Sequence, residues 1–326
     1  MSIAEIHTFL QEDLARVEAY IEASLRSDIA LLDGTNRRLR EHPGKMLRPM
    51  LALLVAGAAG GVNEDSVRFA AAAELLHNAT LLHDDVVDGA TERRGVPTVA
   101  KLLGGGPAVL IGDYWLVKCM QTILDAQHEA ERVLRIFSRT LHHLTEGELL
   151  QMEKSSSADT RQEDYLRIIY GKTASLFETS ATAAALSVRA GDEVVQAMGR
   201  FARLLGTAFQ IKDDILDYSE SAEALGKPVG IDLREQKITQ PLLCALDRVP
   251  AEDAAEIRSR VSRLADKPEL IPSVQDFVRA HDGIALANGV MDGYINEALS
   301  CLDVLPDSQQ KNYLAVLGKY IGDRNF

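Results

Sequence analysis

Apolar residues recur along most of the chain at the three- and four-residue spacing of an α-helix, and the alternation of a half-buried strand is nearly absent. Segments 66–88 and 172–190 are apolar around most of their circumference, which is typical of helices buried in a large bundle. Glycine-rich turns at 57–61 and 104–106 separate neighbouring segments. Helices are predicted over residues 3–25, 46–57, 66–88, 107–126, 128–153, 162–188, 192–218, 239–246, 251–265, 271–280 and 283–301.

The domain organisation follows from length and continuity. The chain has 326 residues, no composition change that would mark a linker, and no repeat of fixed period. A chain of this size can bury a large core in one domain, although two domains are also possible. We expect a single all-α domain over residues 1–326, built as one large helical bundle.

Charge and composition narrow the class of protein. There are 35 Lys and Arg residues against 48 Asp and Glu, for a formal net charge of −13, so a nucleic-acid-binding role is disfavoured. Three widely spaced cysteines, without paired spacing, favour a reducing compartment over a disulfide scaffold. The longest nearly apolar stretch, residues 50–62, is too short to be a transmembrane segment, and the polar start is unlike a signal peptide. We expect a cytoplasmic protein.

Two identical Asp-Asp-x-x-Asp patterns lie in predicted helices. One such pattern can arise by chance in a chain this long, but two are improbable. At about 100° per residue, the first and last aspartate of each pattern lie about 40° apart on one helix face, with the middle one to the side. The first cluster is Asp84, Asp85 and Asp88, and the second cluster is Asp213, Asp214 and Asp217.

The surroundings of the two clusters favour a metal site over a solvated charged face. Apolar residues precede the first cluster and alternate with the second. At an effective dielectric constant near 20, carboxylates separated by about 5–6 Å repel by about 3 kcal/mol per pair, so a counter-cation is needed. Gly89 is a good helix stop, and the negative end of the helix dipole then adds to the first cluster. Oxygen ligands of this kind suit Mg²⁺.

A second set of side chains is basic and consists of lysines, arginines and one histidine. Lys45 and Arg48 are three residues apart at a predicted helix start, where they share a face. Any one of these side chains alone is ordinarily solvated, or packed in the core in the case of the histidine. Together with two magnesium-type clusters, they indicate that the protein binds one or two diphosphates. The group comprises Lys45, Arg48, His77, Arg93, Arg94, Lys172, Lys227 and Lys237.

Eight short strings occur in a defined order over residues 40–245. They are GKMLRP (44–49), LHNATLLHDDVVDGATERRG (76–95), GDYW (112–115), EGELLQ (146–151), GKTASLF (171–177), GTAFQIKDDILDY (206–218), GKPVG (226–230) and DLREQKITQP (232–241). In this order they resemble the all-trans polyprenyl diphosphate synthase family, and most of all its long-chain members of the octaprenyl and solanesyl type.

The resemblance implies a fold and an activity. Members of the family are all-helical, usually homodimeric, and surround a central apolar cavity with the aspartate clusters at its mouth. They condense isopentenyl diphosphate with an allylic diphosphate, head to tail, and need several Mg²⁺ ions. Ionisation of the allylic C–O bond gives a cation that the isopentenyl double bond attacks, and the released pyrophosphate is the expected proton acceptor.

The resemblance also implies roles for individual residues. The six aspartates would hold the Mg²⁺ ions. Arg93, Lys172 and Lys227 would contact the allylic diphosphate, and Lys45, Arg48, His77 and Arg94 would bind isopentenyl diphosphate. Thr173, Phe209 and Gln210 would lie beside the developing carbocation.

Lys237 matches a second loop lysine less closely, because Gln236 replaces a glycine. The ending GDRNF lacks the family's usual basic residues, so no role carries over to Arg324. The expected catalytic group is Asp84, Asp85, Asp88, Lys172, Thr173, Gln210, Asp213 and Lys227.

Small residues before the first cluster bear on product length. In the family, the residues four and five positions before the first aspartate help to set the cavity depth, and here they are Thr80 and Ala79. Each open helical turn adds about 5.4 Å, roughly one isoprenoid unit. We therefore expect a long product, hexaprenyl to decaprenyl, with Trp115 and Met120 as candidates for the cavity floor. Close helix packing explains the small residues equally well.

Three alternatives remain at this point. A short-chain synthase would make farnesyl or geranylgeranyl diphosphate from the same residues. A non-catalytic subunit of a heteromeric synthase generally lacks an aspartate cluster, whereas both are intact here. Terpene cyclases and head-to-head condensing enzymes need no second diphosphate site, which Lys45, Arg48 and Arg94 argue against.

Overall fold

The fold is known from a computed structural model that describes residues 2–42, 44–218 and 230–324. The predicted all-α class is confirmed. The described residues contain one departure from it, a two-stranded antiparallel hairpin of β1 (Glu92–Arg93) and β2 (Val96–Pro97). Two-residue strands are too short to show as alternation in the sequence, so the pattern could not predict them.

The described residues contain the following helices. In order they are α1 (Ile3–Phe9), α2 (Gln11–Ser24), α3 (Ala30–Glu41), α4 (Leu47–Ala59), α5 (Glu64–Val87), α6 (Val99–Leu103), α7 (Gly105–Leu124), α8 (Ala130–Ser157), α9 (Gln162–Ile169), α10 (Ser175–Ser187), α11 (Asp192–Asp217), α12 (Ile231–Arg234), α13 (Gln240–Leu246), α14 (Ala251–Val261), α15 (Ile271–Ala280), α16 (Gly283–Ser300) and α17 (Gln309–Asp323). A π-helical turn, Tyr170–Ala174, joins α9 to α10, and 3₁₀ turns occur at Pro268–Leu270 and Cys301–Val304.

Most predicted helices are present, and helices α6, α12 and α17 occur where none was predicted. Three further differences are informative. Segment 3–25 is two helices, because the backbone leaves the helical region at Leu10. Segment 162–188 is interrupted by the π turn. Helix α3 was not predicted, because its sequence is polar and contains Gly34, and only Asn36 in it is buried.

The chain groups into two compact units. Unit 1 comprises Met1–Ser138, Thr179–Gly199 and Val304–Leu314, and unit 2 comprises Arg139–Glu178, Arg200–Asp303 and Ala315–Phe326. In unit 1, α4 and α5 are the helices with the most buried apolar residues, and α7 packs closely on α5. A Cβ at Gly112 of α7 would lie 3.2 Å from the carbonyl oxygen of Ala79. We retain the single domain over residues 1–326 as a prediction.

Glycines bring helix backbones into contact in unit 2. A Cβ at Gly171 would lie 2.5 Å from the carbonyl oxygen of His143 in α8. A Cβ at Gly206 of α11 would lie 2.6 Å from the Cα atom of Ala174. The π turn is therefore held directly between α8 and α11, and both contacts need a residue without a side chain.

In the described part of the chain, no helix combines the length and the apolar character that a membrane span requires.

The contact at Gly171 predicts that even a substitution by alanine lowers the free energy of unfolding. Gly171→Ala places a methyl group against a backbone oxygen that cannot move aside, and we expect a loss of about 1–3 kcal/mol in the free energy of unfolding. Urea unfolding followed by circular dichroism measures this loss.

Gly289→Ala in α16 is the matched control, because nothing lies within 4 Å of the added methyl group. Alanine in an open helical position is expected to stabilise by about 0.5–1 kcal/mol. Equal unfolding free energies for the two variants would contradict the close approach at Gly171.

Candidate active site

The first cluster lies at the carboxyl end of α5. The helix ends at Val87 with Asp88 as its C-cap, and Gly89 has a φ of 62°, as expected for the predicted helix stop. Asp85 is buried, Asp84 is half-buried and Asp88 is exposed. The carboxylates of Asp84 and Asp88 are therefore the accessible ones of this cluster.

The hairpin that follows α5 places an arginine on the first cluster. Arg94 and Gly95 form its two-residue turn, with φ values of 54° and 78°. The preceding Arg93 donates from Nε to Oδ1 of Asp85 over 2.7 Å. Arg94 donates to the carbonyl oxygen of His42 over 3.2 Å, next to Gly44. The two adjacent arginines therefore have different hydrogen-bond partners.

A basic group assembles beside this cluster in unit 1. Burial lowers the pKa of Arg48 to about 10, with Glu74 opposing the change. Burial, and then the charges of Arg48, Arg94 and Arg93, hold the pKa of His77 well below its ordinary value. His77 is consequently neutral near pH 7, among guanidinium groups that remain charged. Such a group is suited to receive an anion.

Two residues that no sequence motif singled out, Glu74 and Asn78, support this basic group. Burial raises the pKa of Glu74, while the charge of Arg48 opposes the rise. Asn78 donates from Nδ2 to Oε1 of Glu74 over 3.0 Å. Lys45, the remaining predicted member, is exposed just before α4.

A cavity of about 620 Å³ in unit 1 bears on the predicted chain-length residues. It is lined by charged residues, including Asp85, Arg93 and Arg94, and by apolar ones, including Leu81, Leu82 and Trp115. Trp115 is buried and donates from its indole nitrogen to Asn36 over 2.9 Å. Ala79 is buried against α7, Thr80 is half-buried, and Met120 is exposed on α7.

The second cluster lies at the end of α11, and its middle aspartate is buried. The Tyr165 hydroxyl donates to Oδ2 of Asp214 over 2.6 Å, and the Gln210 amide donates to Oδ1 over 3.0 Å. Burial nevertheless raises the pKa of Asp214 to about 7. The two donors favour the ionised form of this carboxyl group, which burial disfavours.

The other two aspartates of the second cluster also have hydrogen-bond or ion-pair partners. Asp217 accepts from the backbone amides of Ile231 and Asp232, over 3.0 and 3.1 Å. Asp213, with 42% of its side chain exposed, pairs through Oδ1 with Nη1 of Arg324 over 2.8 Å. Arg324, for which the sequence analysis expected no role, therefore lies at the second cluster.

The π turn presents two predicted residues to this site. Its wide bond runs from the amide of Ser175 to the carbonyl of Tyr170, and such turns are frequent at functional sites. Lys172 pairs with Oε2 of Glu148 over 2.6 Å. Thr173 donates to Oε1 of Gln210 over 2.8 Å. Threonine, glutamine and Asp214 thus form one hydrogen-bonded series.

A cavity of about 630 Å³ in unit 2 collects the polar groups of this site. Four predicted residues line it, and so do Tyr165 and Asp232, which the sequence analysis did not single out. Burial, and then the charges of Asp214 and Asp217, raise the pKa of Asp232 well above its ordinary value. The four predicted residues are Lys172, Gln210, Asp214 and Lys237.

The last two predicted site residues are Phe209 and Lys227. Phe209 precedes Gln210 on α11, with its ring centroid 5.7 Å from that of Phe177. Lys227 lies outside the described residues.

The residues present can be compared with the needs of Mg²⁺. Within residues 2–42, 44–218 and 230–324, no three histidine, cysteine, aspartate or glutamate side chains converge into a metal site. Mg²⁺ usually binds through one or two carboxylates, together with waters and substrate phosphates. The accessible carboxylates of Asp84, Asp88 and Asp213 fit that donor chemistry.

Several known proteins are similar to this chain over nearly its whole length. Octaprenyl diphosphate synthase from Haemophilus influenzae is 36% identical over 326 residues, covering 100% of this chain and 98% of the relative. The octaprenyl diphosphate synthase of Escherichia coli is 35% identical over 314 residues, covering 96% of each chain. A crystal structure of a decaprenyl diphosphate synthase from Rhodobacter capsulatus matches with a TM-score of 0.92 at 32% identity, over 99% of both chains.

The family itself is identified by its conserved profile. Residues 30–278 match the polyprenyl synthetase family. That range contains both aspartate clusters, the hairpin arginines and the π turn. The chain therefore belongs to the polyprenyl synthetase family and is a prenyltransferase.

Proposed function

We propose that the protein condenses isopentenyl diphosphate onto an allylic diphosphate, head to tail and with Mg²⁺, to make a long-chain all-trans polyprenyl diphosphate. The observation that carries the proposal is that each aspartate cluster has cationic side chains beside it: Arg93 at the first cluster, and Lys172 and Lys237 in the cavity of the second. An anionic substrate accompanied by metal ions needs both kinds of group.

The basic group of unit 1 is the proposed site for the diphosphate of isopentenyl diphosphate. Arg48 and Arg94 supply charged, forked donors. Neutral His77 can donate one N–H without adding a further charge. Lys45, exposed before α4, can reach a bound anion from solvent.

The allylic diphosphate is assigned to both aspartate clusters together with Arg93, Lys172 and Lys227. Bound Mg²⁺ supplies electron withdrawal from the leaving diphosphate. Glu148 orients the Lys172 ammonium, and the Tyr165 and Gln210 donors keep Asp214 ionised. These residues bind and orient the leaving group, and the released diphosphate takes the proton from the condensed product.

The developing allylic cation is assigned to Thr173, Gln210 and Phe209. Gln210 donates its amide protons to Asp214 and therefore turns its carbonyl oxygen toward Thr173. Oxygen dipoles and the face of an aromatic ring both favour a nearby positive charge. No nucleophilic side chain is needed for this reaction.

A long product is favoured over a short one by the similarity to octaprenyl and decaprenyl synthases. The small residues Ala79 and Thr80 are compatible with it. We also place the enzyme in the cytoplasm, because the thiols of Cys119, Cys244 and Cys301 are all free.

A product assay tests the proposed function. Purified protein with Mg²⁺, farnesyl diphosphate and labelled isopentenyl diphosphate should yield products of six or more isoprenoid units, sized by chromatography. Asp84→Asn and Asp213→Asn should each lower the rate about a hundredfold or more, because each removes a charged ligand.

Asp253→Asn is the matched control, since Asp253 is an exposed aspartate of α14. Its product rate should equal that of the wild type. Products that stop at farnesyl or geranylgeranyl diphosphate would support a short-chain enzyme instead, and no elongation at all would support a non-catalytic subunit.

The bond from Tyr165 to Asp214 predicts a pH effect. Tyr165→Phe removes a donor to the ionised carboxylate, which raises the pKa of Asp214 further above about 7. The ionised form then appears only at higher pH, so the acid limb of the rate profile should move up by about one pH unit. Product formation measured from pH 5.5 to 9 shows the shift.

A tyrosine–aspartate pair on the surface gives the control for this variant. Tyr20 donates to Asp125 over 3.4 Å in an exposed setting, and Tyr20→Phe should leave the profile unchanged. An acid limb that stays in place for Tyr165→Phe would exclude Asp214 as the group that limits the rate.

We further propose that the protein forms a homodimer through α7. Leu110, Val117 and Leu124 are 69%, 49% and 57% exposed and recur every seven residues, so they lie along one face of the helix. Met120 is exposed on the same helix. Exposed apolar residues that recur in this way are suited to contact with a second copy of the same helix.

Charges on this stripe should separate the subunits. The double variant Leu110→Glu, Val117→Glu is expected to sediment as a monomer at micromolar concentration, where the wild type sediments as a dimer. Leu31→Glu on α3, at a leucine of similar exposure, is the control and should remain a dimer. A monomeric wild type, or a dimeric double variant, would contradict the proposal.

A further inference from the structure

One side of α8 forms part of the wall of the cavity in unit 2. Gln151, Lys154 and Ser155 all line this cavity of about 630 Å³. Residues three and four positions apart lie on the same side of a helix, so this side of α8 borders the cavity. Lys154 belongs to the last turn of α8, and only 16% of its side chain is exposed. It lies outside the sequence motifs, yet it borders the same cavity as Lys172.

Two carboxylates hold the ammonium group of Lys154. Its Nζ atom lies 3.2 Å from Oδ1 of Asp159 and 3.2 Å from Oδ2 of Asp164. The hydrogen bond to Asp164 raises the pKa of Lys154 above its ordinary value, burial opposes this change, and Asp159 adds to it. An ammonium group has three N–H donors. Its contacts within the described chain account for two of them, so one donor remains for a ligand.

The three described lysines of this cavity share one arrangement. Lys172 pairs with Glu148 and Lys237 pairs with Glu235, as Lys154 does with its two aspartates. The lysines line the cavity, whereas none of these carboxylates is among its described lining residues. Each lysine is therefore held by an acidic group that is not part of the cavity wall.

We propose that Lys154 binds the diphosphate of the allylic substrate, together with Lys172 and Lys237. The inference rests on the proposed function. A diphosphate has several anionic oxygens, and a hydrogen bond between two charged groups is stronger than one between neutral groups. Three ammonium groups that border one cavity can share these oxygens, with each ammonium kept in place by its carboxylate.

The charge balance of the cavity predicts that this binding needs Mg²⁺. Four carboxylates hold the three lysines, and Asp214 and Asp232 line the cavity as well. Acidic groups therefore outnumber the lysines, and a diphosphate alone would meet an excess of negative charge. Divalent cations reverse the local sign, and the lysines then contact an anion that is already partly neutralised.

A purely structural role for Lys154 makes a different prediction. Lys154 is in the last turn of α8 and Asp164 is in the first turn of α9, so their ion pair joins the two helices. If that were its whole role, Lys154→Met and Asp164→Asn would both lower the melting temperature and leave the affinity for an allylic diphosphate unchanged. Direct contact with the diphosphate predicts that this affinity falls when the lysine charge is removed.

Calorimetric titration of the full-length protein with farnesyl diphosphate and Mg²⁺ tests the proposal. Isopentenyl diphosphate is left out, so no chain elongation takes place. Lys154→Met keeps an unbranched apolar stem and removes the charge. Its affinity for farnesyl diphosphate is expected to fall about 10- to 100-fold, the usual effect of losing one hydrogen bond to a charged group. Lys154→Arg should recover most of the loss, because it restores the positive charge.

A control variant and a second neutral variant complete the titration. Lys267→Met removes an exposed lysine of the same unit and should bind farnesyl diphosphate as the wild type does. Lys154→Gln should show the same weakening as Lys154→Met, and it replaces that variant if methionine prevents folding. In the elongation assay, Lys154→Met should raise KM for farnesyl diphosphate and leave KM for isopentenyl diphosphate unchanged, because the latter is assigned to unit 1.

The outcomes separate this inference from the proposed function. Neutral variants that bind farnesyl diphosphate as tightly as the wild type overturn the role of Lys154, even where their melting temperatures fall. If the wild type binds farnesyl diphosphate but does not elongate it, and the neutral variants bind more weakly, the contact is supported and the function is contradicted. A wild type that neither binds nor elongates farnesyl diphosphate overturns both.

Discussion

Keeping carboxylates ionised within a mostly apolar helical protein is the constraint on which the site depends. Burial alone would protonate Asp214, and the raised pKa of about 7 shows how close that balance is. The Tyr165 hydroxyl and the Gln210 amide oppose this tendency. At the first cluster, Arg93 pairs with Asp85. The local fold serves this purpose, since the hairpin, α9 and α11 each bring a donor to an aspartate.

The same logic explains the basic side chains. Arg48, Arg94 and Arg93 lower the proton affinity of the buried His77, and Arg94 lowers that of Arg48, so positive charge is concentrated here. Glu74 relieves part of the repulsion in the meantime. If this basic group is the proposed diphosphate site, its charges are already in place before the anion binds.

Features that repeat within one helix could be predicted from the sequence, and contacts between distant segments could not. The shared face of Asp84 and Asp88 and the stop at Gly89 follow from helix geometry. The bond from Tyr165 to Asp214 joins residues 49 positions apart and leaves no trace in local spacing. Arg324 was missed for the same reason, because the ending was compared with a motif and its place in the fold was unknown.

The π turn at Tyr170–Ala174 has a consequence for how this segment tolerates length changes. A π turn accommodates one residue more than an α-turn, and each residue rotates a helix by about 100°. Loss of a single residue there would restore regular winding and rotate Lys172 and Thr173 away from Glu148 and Gln210 by more than a quarter of a circle. The segment can therefore tolerate changes of side chain, but hardly a change in its number of residues.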